Sequence, residues 1–485
     1  MCGIVGKVHS DIQRPIDERT VRSMCEAIVH RGPDEDGFFV EGGAALGMRR
    51  LQVIDLAGGH QPMENEDGSL RVVFNGEIYN YQQLSHELRA RGHQLRTASD
   101  TEVILHLYEE YGLECFALLR GMFAIALWDR RRNELVLARD RLGKKPLFYA
   151  QTPSGLSFSS ELQSLLCDGE VGREIDPAAI DEYLSYLFVP HPKTLYKSVK
   201  KLPPATWAVF SDGRLRMKRY WQVQYREECE KIALHERVEE LDGLLREAVS
   251  LRLLADVPVG AFLSGGLDSS LVVALMRSVG HERVRTFSIG FSDASFDEQA
   301  YARQVAQALD TEHSEYVVDY QVEEMIPQLL KHFGEPFADS SAIPTYHLSR
   351  VTRGDVTVAL SGDGGDEIFG GYRRYQARIM VDRYNRWPSW AGRDLFELLW
   401  ESLPEPDGYY STSWRKKGRR FVEFARAVRD DPHTSWGFFL PKTKKLRFIR
   451  KILPIQYVGT LQKRVIAPIG KRRLSLVNRR CYEPI

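Results

Sequence analysis

The sequence predicts two successive units of mixed α and β structure: a layered sheet-and-helix unit over roughly the first 200 residues, then an open, doubly wound parallel sheet. Three observations carry this. Short apolar runs of strand type crowd the first half, with two helical stretches set among them. After residue 238 strand and helix patterns alternate. In that second half, two glycine-rich loops each follow a strand-type run, which is where open parallel sheets place their ligands.

In chain order, strand-type runs fall at 2–8, 44–47, 71–74, 123–128, 134–139, 146–150 and 156–159. Residues 17–29 carry Val21, Met24 and Ile28 at helical spacing. Ser99-Asp100-Thr101-Glu102 has the form of a capping box ahead of a helix over 103–111, which Gly112 closes. A linker is expected at about 221–234. Residues 238–254 read as an amphipathic helix, 257–263 as an apolar strand, and 271–279 as a helix with Gly280 past its end. Strands at 285–291, 315–318 and 356–360 and a helix at 298–309 complete the alternation.

Bulk composition narrows the classes. The 485 residues are 43% hydrophobic and 27% charged, as in a soluble globular protein of two or three domains. Lys+Arg and Asp+Glu both number 66, so net charge favours neither nucleic acid nor membrane as a partner. The 6 cysteines are scattered without a C-x-x-C pair, so neither a zinc site nor a disulfide framework is expected, and a reducing cytoplasm fits. No signal-peptide pattern or spanning apolar run is present.

The chemistry begins at Met1-Cys2-Gly3-Ile4. Removal of Met1 leaves a thiol and a free α-amine on one residue, with ordinary pKa values of about 8.5 and about 7.7–8.0. Such a residue supplies its own nucleophile and proton acceptor. If Cys2 attacks a carboxamide, the Asn75 side chain and the Gly76 N–H can hold the oxyanion. Arg50 suits an α-carboxylate and Asp100 an α-ammonium. Singly, each has a plainer reading: Asn-Gly as a hairpin turn, Asp100 as part of a helix cap, Arg50 as a structural arginine. Together with a cysteine at position 2 they read as a site.

These residues, with His30-Arg31-Gly32-Pro33-Asp34, Asn75-Gly76-Glu77-Ile78-Tyr79-Asn80, Gly121-Met122-Phe123-Ala124 and Arg139-Asp140-Arg141-Leu142-Gly143, resemble the class II glutamine amidotransferase domain. The resemblance implies an N-terminal-nucleophile αββα sandwich over 2–208 that hydrolyses glutamine and passes ammonia to a second site. It implies Cys2 as nucleophile, Asn75 and Gly76 as oxyanion hole, and Arg50, Glu77 and Asp100 as glutamine contacts.

In the second half, Ser264-Gly265-Gly266-Leu267-Asp268-Ser269 lies between strand and helix, where glycines admit phosphate to backbone N–H groups. It lacks the P-loop lysine, which disfavours γ-phosphoryl transfer. Ser361-Gly362-Asp363-Gly364-Gly365-Asp366-Glu367 offers two aspartates for Mg²⁺. With Glu335-Pro336-Phe337-Ala338-Asp339, these loops resemble the ATP-pyrophosphatase domain of asparagine synthetase, over 235–410. That resemblance implies ATP and Mg²⁺, an acyl-adenylate formed on aspartate, and displacement of AMP by ammonia. It places Leu263, Ser264, Gly265, Gly266, Asp268, Ser269, Ile289, Ser361 and Gly362 at ATP, Asp268 and Asp366 at Mg²⁺-pyrophosphate, and Asp363 beside the adenylate. An internal ammonia tunnel is implied by the resemblance alone, which also leaves a homodimer open.

Two departures are evident. Many asparagine synthetases carry glutamate where this chain has Asp363, and the aspartate also fits relatives from exopolysaccharide gene clusters with another acceptor carboxylate. An Ala-Arg-Val-Pro-Phe-Leu-Asp-like motif is missing, and the match fades after Tyr375. Residues 411–485 read as an atypical basic tail, with thirteen Lys/Arg and one acidic residue over 441–485. A poorly folded tail and a weakened synthetase half are expected on that view. The competing readings are thus a glutamine-dependent amide synthetase, a glutaminase with a crippled second half, and a non-catalytic scaffold.

Overall fold

A computed structural model describes residues 2–224, 232–280, 283–291, 298–318, 322–403 and 414–430. The first unit runs β1 (Gly3–His9), α1 (Glu18–Glu26), β2 (Glu35–Glu41), β3 (Ala44–Arg50), β4 (Met63–Glu64), β5 (Leu70–Ile78), α2 (Tyr81–Ala90), α3 (Asp100–Tyr111), β6 (Gly121–Asp129), β7 (Glu134–Arg139), β8 (Phe148–Gln151), β9 (Gly155–Ser159), α4 (Leu162–Leu165), α5 (Pro177–Tyr186), β10 (Val199–Lys201), β11 (Thr206–Ser211) and β12 (Arg214–Arg219). Its strands form two six-stranded sheets, ordered β10-β8-β9-β1-β3-β2 and β12-β11-β7-β6-β5-β4.

Period-2 alternation explains the layering. Along β1, Ile4 and Val8 point into the core between the sheets, and Val5 points outward onto Val21, Met24 and Ile28 of the α1 region. Along β5, Val73 faces the other sheet, whereas Val72 and Phe74 face outward onto Val103, Ile104 and Leu107 of α3. Two sheets with helices outside both are the expected αββα sandwich. Asp17 caps α1 by accepting from Arg19 N, and Val21, Met24 and Ile28 are fully buried as their spacing predicts.

The second unit runs α6 (Leu234–Arg252), β13 (Val259–Phe262), α7 (Leu267–Ser278), β14 (Arg285–Phe291), α8 (Gln299–Ala308), β15 (Glu312–Val318), α9 (Val322–Phe333), α10 (Ala342–Thr352), β16 (Val358–Leu360), α11 (Gly365–Phe369), α12 (Arg373–Asn385), α13 (Arg393–Ser402) and α14 (Trp414–Asp430). Its sheet is ordered β15-β14-β13-β16, with every pair parallel. The chain winds outward from β13 to β15 and then crosses back to β16. The switch point therefore lies between β13 and β16, and both glycine-rich loops leave the sheet there.

The structure corrects several sequence expectations. The helix expected over 271–279 starts at Leu267, so Asp268 and Ser269 sit in its first turn rather than in a loop. The capping box is not reciprocal. Ser99 accepts from Thr101 N, but the Glu102 carboxylate reaches back to the Arg96 and Thr97 N–H groups, both at 2.7 Å. The poorly folded tail is not what residues 414–430 form. They make helix α14, which buries Val422, Phe424, Ala425 and Val428. Its Arg426 and Arg429 converge on the buried Glu397 of α13. The remainder, 431–485, lies outside the described residues, as do Cys229 and Cys481. Cys2, Cys25, Cys115 and Cys167 are free thiols. No helix among the described residues is long and apolar enough to cross a membrane.

Candidate active site

The alternation that builds the sandwich also aims the candidate nucleophile. Cys2 lies two residues before Ile4, and Asn75 and Glu77 lie two and four residues after Val73, so all three side chains point into the space between the sheets. Strand β1 pairs with β3 at Gly3↔Arg49, which brings Leu51 beside Cys2, and the Leu51 N–H donates to Cys2 Sγ at 3.4 Å. From the other side, Arg31 Nε donates to the Cys2 carbonyl at 2.9 Å. Arg31 is itself held by Glu161 at 3.0 Å, and His30 also meets Glu161 at 2.9 Å. Burial pushes the Cys2 thiol up, opposed by the Leu51 N–H and by the positive charges of Lys145 and Arg50. The resting thiol therefore needs a base to become a nucleophile, a task the α-amine of a Cys2 freed from Met1 can perform.

Asn75 is not in a turn. It sits inside β5 opposite Ala124 of β6, and Gly76 pairs with Phe123. Asn75 is fully buried, and neither Nδ2 nor Oδ1 has a hydrogen-bond partner among the described residues. An orphaned buried amide costs about 1–3 kcal/mol. Gly76 is required by space: a Cβ there would lie 2.1 Å from the Met122 carbonyl oxygen and 2.8 Å from Phe123 Cα.

Glu77 and Asp100 form an acidic pair at the same end. Asp100 Oδ2 accepts from the Ile78 N–H at 2.9 Å. Burial, together with the Glu77 charge, pushes the Asp100 carboxyl up to about 7. Burial also raises Glu77, against the pull of Lys145 and Arg252. Ser99, not Asp100, supplies the cap of α3. Arg50 is buried, but its guanidinium is engaged. It binds Glu35 at 3.0 Å and the carbonyls of Ile54, Asp55 and Leu56. Here it holds the 51–59 loop over the site, and a Cβ on Gly59 would strike it at 2.1 Å.

Sequence reasoning missed Lys145. Its backbone N–H binds the buried Asp140, whose carboxylate also accepts from Phe123, Leu142 and Lys144 N–H groups at 3.0–3.2 Å. Asp140 thus folds the turn that carries Lys145 inward, where burial lowers the ammonium to about 8 beside Glu77 and Cys2. The signal in the sequence is the Arg139–Gly143 motif, whose Asp140 organises the turn that ends in Lys145.

In the second unit, Gly265 takes φ +78°, and a Cβ there would lie 2.5 Å from the Ala302 and Tyr301 backbone. That conformation turns the chain from β13 into α7, leaving the first-turn N–H groups of a 12-residue helix facing the crevice. Ser264 and Ser269 hydroxyls meet at 3.0 Å, and Ser269 Oγ is 3.2 Å from the Gly266 carbonyl oxygen. Leu263 is buried and donates to the Phe287 carbonyl, while Ile289 on β14 is half-buried. The second loop abuts the first: a Cβ on Gly362 would lie 2.8 Å from Ser269 N, and one on Gly365 2.5 Å from Asp268 Cγ. Asp268 and Asp366 are half-buried carboxylates in the first turns of α7 and α11, which adjoin, an all-oxygen donor set that suits Mg²⁺. Asp363 is exposed and accepts from Ser361 Oγ at 2.9 Å.

The two units touch through polar contacts. Asp256 bridges to the loop over Cys2: its N–H donates to the Val53 carbonyl at 2.9 Å and its carboxylate accepts from Asp55 N at 2.7 Å. The Arg252 guanidinium lies 4.4 Å over the Tyr79 ring, and Lys201 pairs with Glu335. The Ala338 N–H donates to the Leu187 carbonyl at 2.9 Å.

Comparison with known proteins agrees with this division. The glutamine amidotransferase domain family matches residues 1–221, and the asparagine synthase family matches residues 240–464. The chain is 38% identical over 425 residues to asparagine synthetase (glutamine-hydrolyzing) 1 of Bacillus subtilis, covering 86% of this chain and 66% of that protein. It is 36% identical over 414 residues to putative asparagine synthetase (glutamine-hydrolyzing) 2 of Methanocaldococcus jannaschii, covering 80% and 79%. Asparagine synthetase (glutamine-hydrolyzing) 3 of B. subtilis is 35% identical over 395 residues, covering 77% and 63%. The chain spans about two thirds of the length of the two Bacillus relatives. It belongs to the glutamine-hydrolysing asparagine synthetase family.

Proposed function

We propose that the chain makes asparagine from aspartate, glutamine and ATP, releasing glutamate, AMP and pyrophosphate through a β-aspartyl-AMP intermediate. The observation that carries the first half is the buried, unpartnered Asn75 amide facing the same space as Cys2. Cys2 Sγ attacks the glutamine carboxamide, and its proton passes to the Cys2 α-amine. The developing oxyanion takes hydrogen bonds from Asn75 Nδ2 and the Gly76 N–H. The α-amine returns the proton to the leaving ammonia, and water then releases glutamate from the thioester. Asp100 and Glu77 receive the substrate ammonium. Arg50 meets the substrate carboxylate when the 51–59 loop adjusts.

For the second half, the Ser264–Ser269 loop and the start of α7 hold the phosphates, with Leu263, Ile289, Ser361 and Gly362 about the nucleotide. Asp268 and Asp366 would hold Mg²⁺, which would supply positive charge to a departing pyrophosphate. The aspartate β-carboxylate attacks the α-phosphorus, the bond to pyrophosphate breaks, and ammonia then displaces AMP. Asp363 stands beside the adenylate to take the ammonium proton. Production in one unit and use in the other keep the ammonia unprotonated, and the contacts of Asp256 with Asp55 and of Lys201 with Glu335 hold the two units against each other. A cytoplasmic setting suits ATP chemistry and a free catalytic thiol.

The test is Cys2→Ala. Glutamine-dependent glutamate release is expected to vanish while ammonium-dependent AMP and asparagine formation persists. Glutamine hydrolysis surviving the change would refute the nucleophile.

A further inference from the structure

We propose that His93, His106 and Glu109 form a structural site for a divalent transition metal of the zinc type, on the outer helix layer of the amidotransferase unit. His106 and Glu109 share one face of α3 at i, i+3 spacing. His93 is brought to them by the tight turn after α2, where Gly92 takes φ +99°. None of its three residues takes part in the proposed glutamine chemistry.

The donor atoms converge. His93 Nδ1 lies 3.2 Å from His106 Nδ1, His106 Nδ1 lies 2.9 Å from Glu109 Oε2, and His93 Nδ1 lies 3.5 Å from Glu109 Oε2. Nitrogen and oxygen ligands at the usual zinc distances in a tetrahedral arrangement are about 3.3–3.6 Å apart, so the triangle needs adjustments of only a few tenths of an ångström.

The outward-facing atoms make the stronger argument. His93 Nε2 lies 2.9 Å from Glu110 Oε1, and His106 Nε2 faces oxygens of Glu102 and Glu66, each at 3.8 Å. The other Glu109 oxygen accepts from Asn65 Nδ2 at 2.8 Å. Glu110 behind the His93 ring favours its Nε2–H tautomer, which turns the His93 Nδ1 lone pair toward His106 Nδ1; on His106 the 2.9 Å contact to Glu109 puts a proton between Nδ1 and the carboxylate, the position a metal would take. Three acceptors pointed at one spot need a cation or a shared proton, and a ring nitrogen backed by a carboxylate is the usual second shell of a metal-bound histidine. His106 is buried, which fixes its ring. Cysteine spacing predicted no zinc site, but this set uses no cysteine.

The consequence is mechanical. Helix α3 starts at Asp100, in the glutamine site, and its second half carries two of the ligands. A metal would tie the 91–99 turn to α3 and hold its first turn in place.

The experiment uses the full chain, stripped by chelator and titrated with Co²⁺ as a spectroscopic probe, then with Zn²⁺ in competition. One equivalent is expected to bind at micromolar free metal. Weak visible bands should appear without the intense near-ultraviolet band of thiolate ligands, and the melting temperature should rise. Variants at the half-buried His93 and the exposed Glu109 carry the test, because a change at buried His106 can unfold the domain. His93→Gln and Glu109→Gln should abolish binding, Glu110→Gln should weaken it about 10–100-fold, and Cys2→Ala should leave it unchanged. Failure of the folded wild-type chain to bind would overturn the proposal, as would a thiolate spectrum or wild-type affinity in His93→Gln.

Discussion

Asn75 pays for its position with two unmet hydrogen bonds, and that deficit is best explained by the charge it meets during reaction. Asn75→Ala is expected to lower kcat for glutamine hydrolysis about 10²–10³-fold, the range seen for loss of one oxyanion donor, while KM changes little. Steady-state glutamate release measures both. A large rise in KM with unchanged kcat would instead make Asn75 a substrate-binding residue. Asp100 gives a pH signature. Its folded pKa of about 7 exceeds the ordinary carboxylate value, so the folded state holds a proton that the unfolded state has lost. That group's contribution to stability therefore falls as pH rises from about 4 to about 7. An ammonium ligand needs the ionised form, so glutamine affinity should weaken as pH drops below 7, by up to about tenfold per unit. Asp100→Asn should bind glutamine weakly at every pH and flatten this dependence in a KM–pH profile. Cys2, Asn75, Gly76, Glu77 and Asp100 were legible in the sequence because each belongs to a short motif with a chemical reason. Lys145 was not, because only the turn folded around Asp140 carries it inward. The engagement of Arg50 with Glu35 was equally hidden, since it depends on a loop closing over 51–59.

At the scale of elements, the two glycine loops are built by packing rather than by glycine content. Gly265 combines a left-handed φ with backbone atoms 2.5 Å from where a Cβ would sit. Gly265→Ala should therefore abolish AMP and pyrophosphate formation yet leave glutamate release within about twofold, since such strain is local; matched assays on one preparation check this. Asp140→Ala should do the converse. It strips a buried carboxylate from four N–H donors, which should cost more than about 3 kcal/mol in urea unfolding and abolish glutaminase activity. Strongly patterned elements were visible from sequence: β1, β6, β7, β14 and the faces of α1 and α3. The missed ones have physical reasons. Strand β12 reads Arg-Leu-Arg-Met-Lys-Arg and β2 carries glutamates at both ends, because both are sheet edges with one flank in water. Helix α14 looked like a basic tail because its five arginines and two lysines equal its apolar residues in number. Two of those arginines neutralise the buried Glu397, and the apolar stripe lies beneath them.

At the scale of the molecule, the alternation of strands and helices gave the parallel sheet, and the order β15-β14-β13-β16 put both loops at one switch point. How the units meet was not legible, since Asp256, Arg252 and Lys201 stand in no motif. The Lys201–Glu335 pair is nearly buried, with side chains 16% and 11% exposed. Lys201→Ala leaves Glu335 uncompensated and should loosen the interface. Glutamate would then be released in excess of AMP, where the wild-type ratio is expected near unity; an unchanged ratio would separate this pair from coupling. On the proposed function, nitrogen freed at Cys2 reaches an acyl-adenylate held by the second unit. The most direct measurement feeds the purified chain amide-¹⁵N glutamine, unlabelled ammonium, aspartate, ATP and Mg²⁺, and reads the asparagine by mass spectrometry alongside AMP. Asparagine carrying mostly ¹⁵N, formed in step with AMP, is the predicted result. Glutamate release without AMP, or asparagine whose label matches the bulk ammonium, would contradict it.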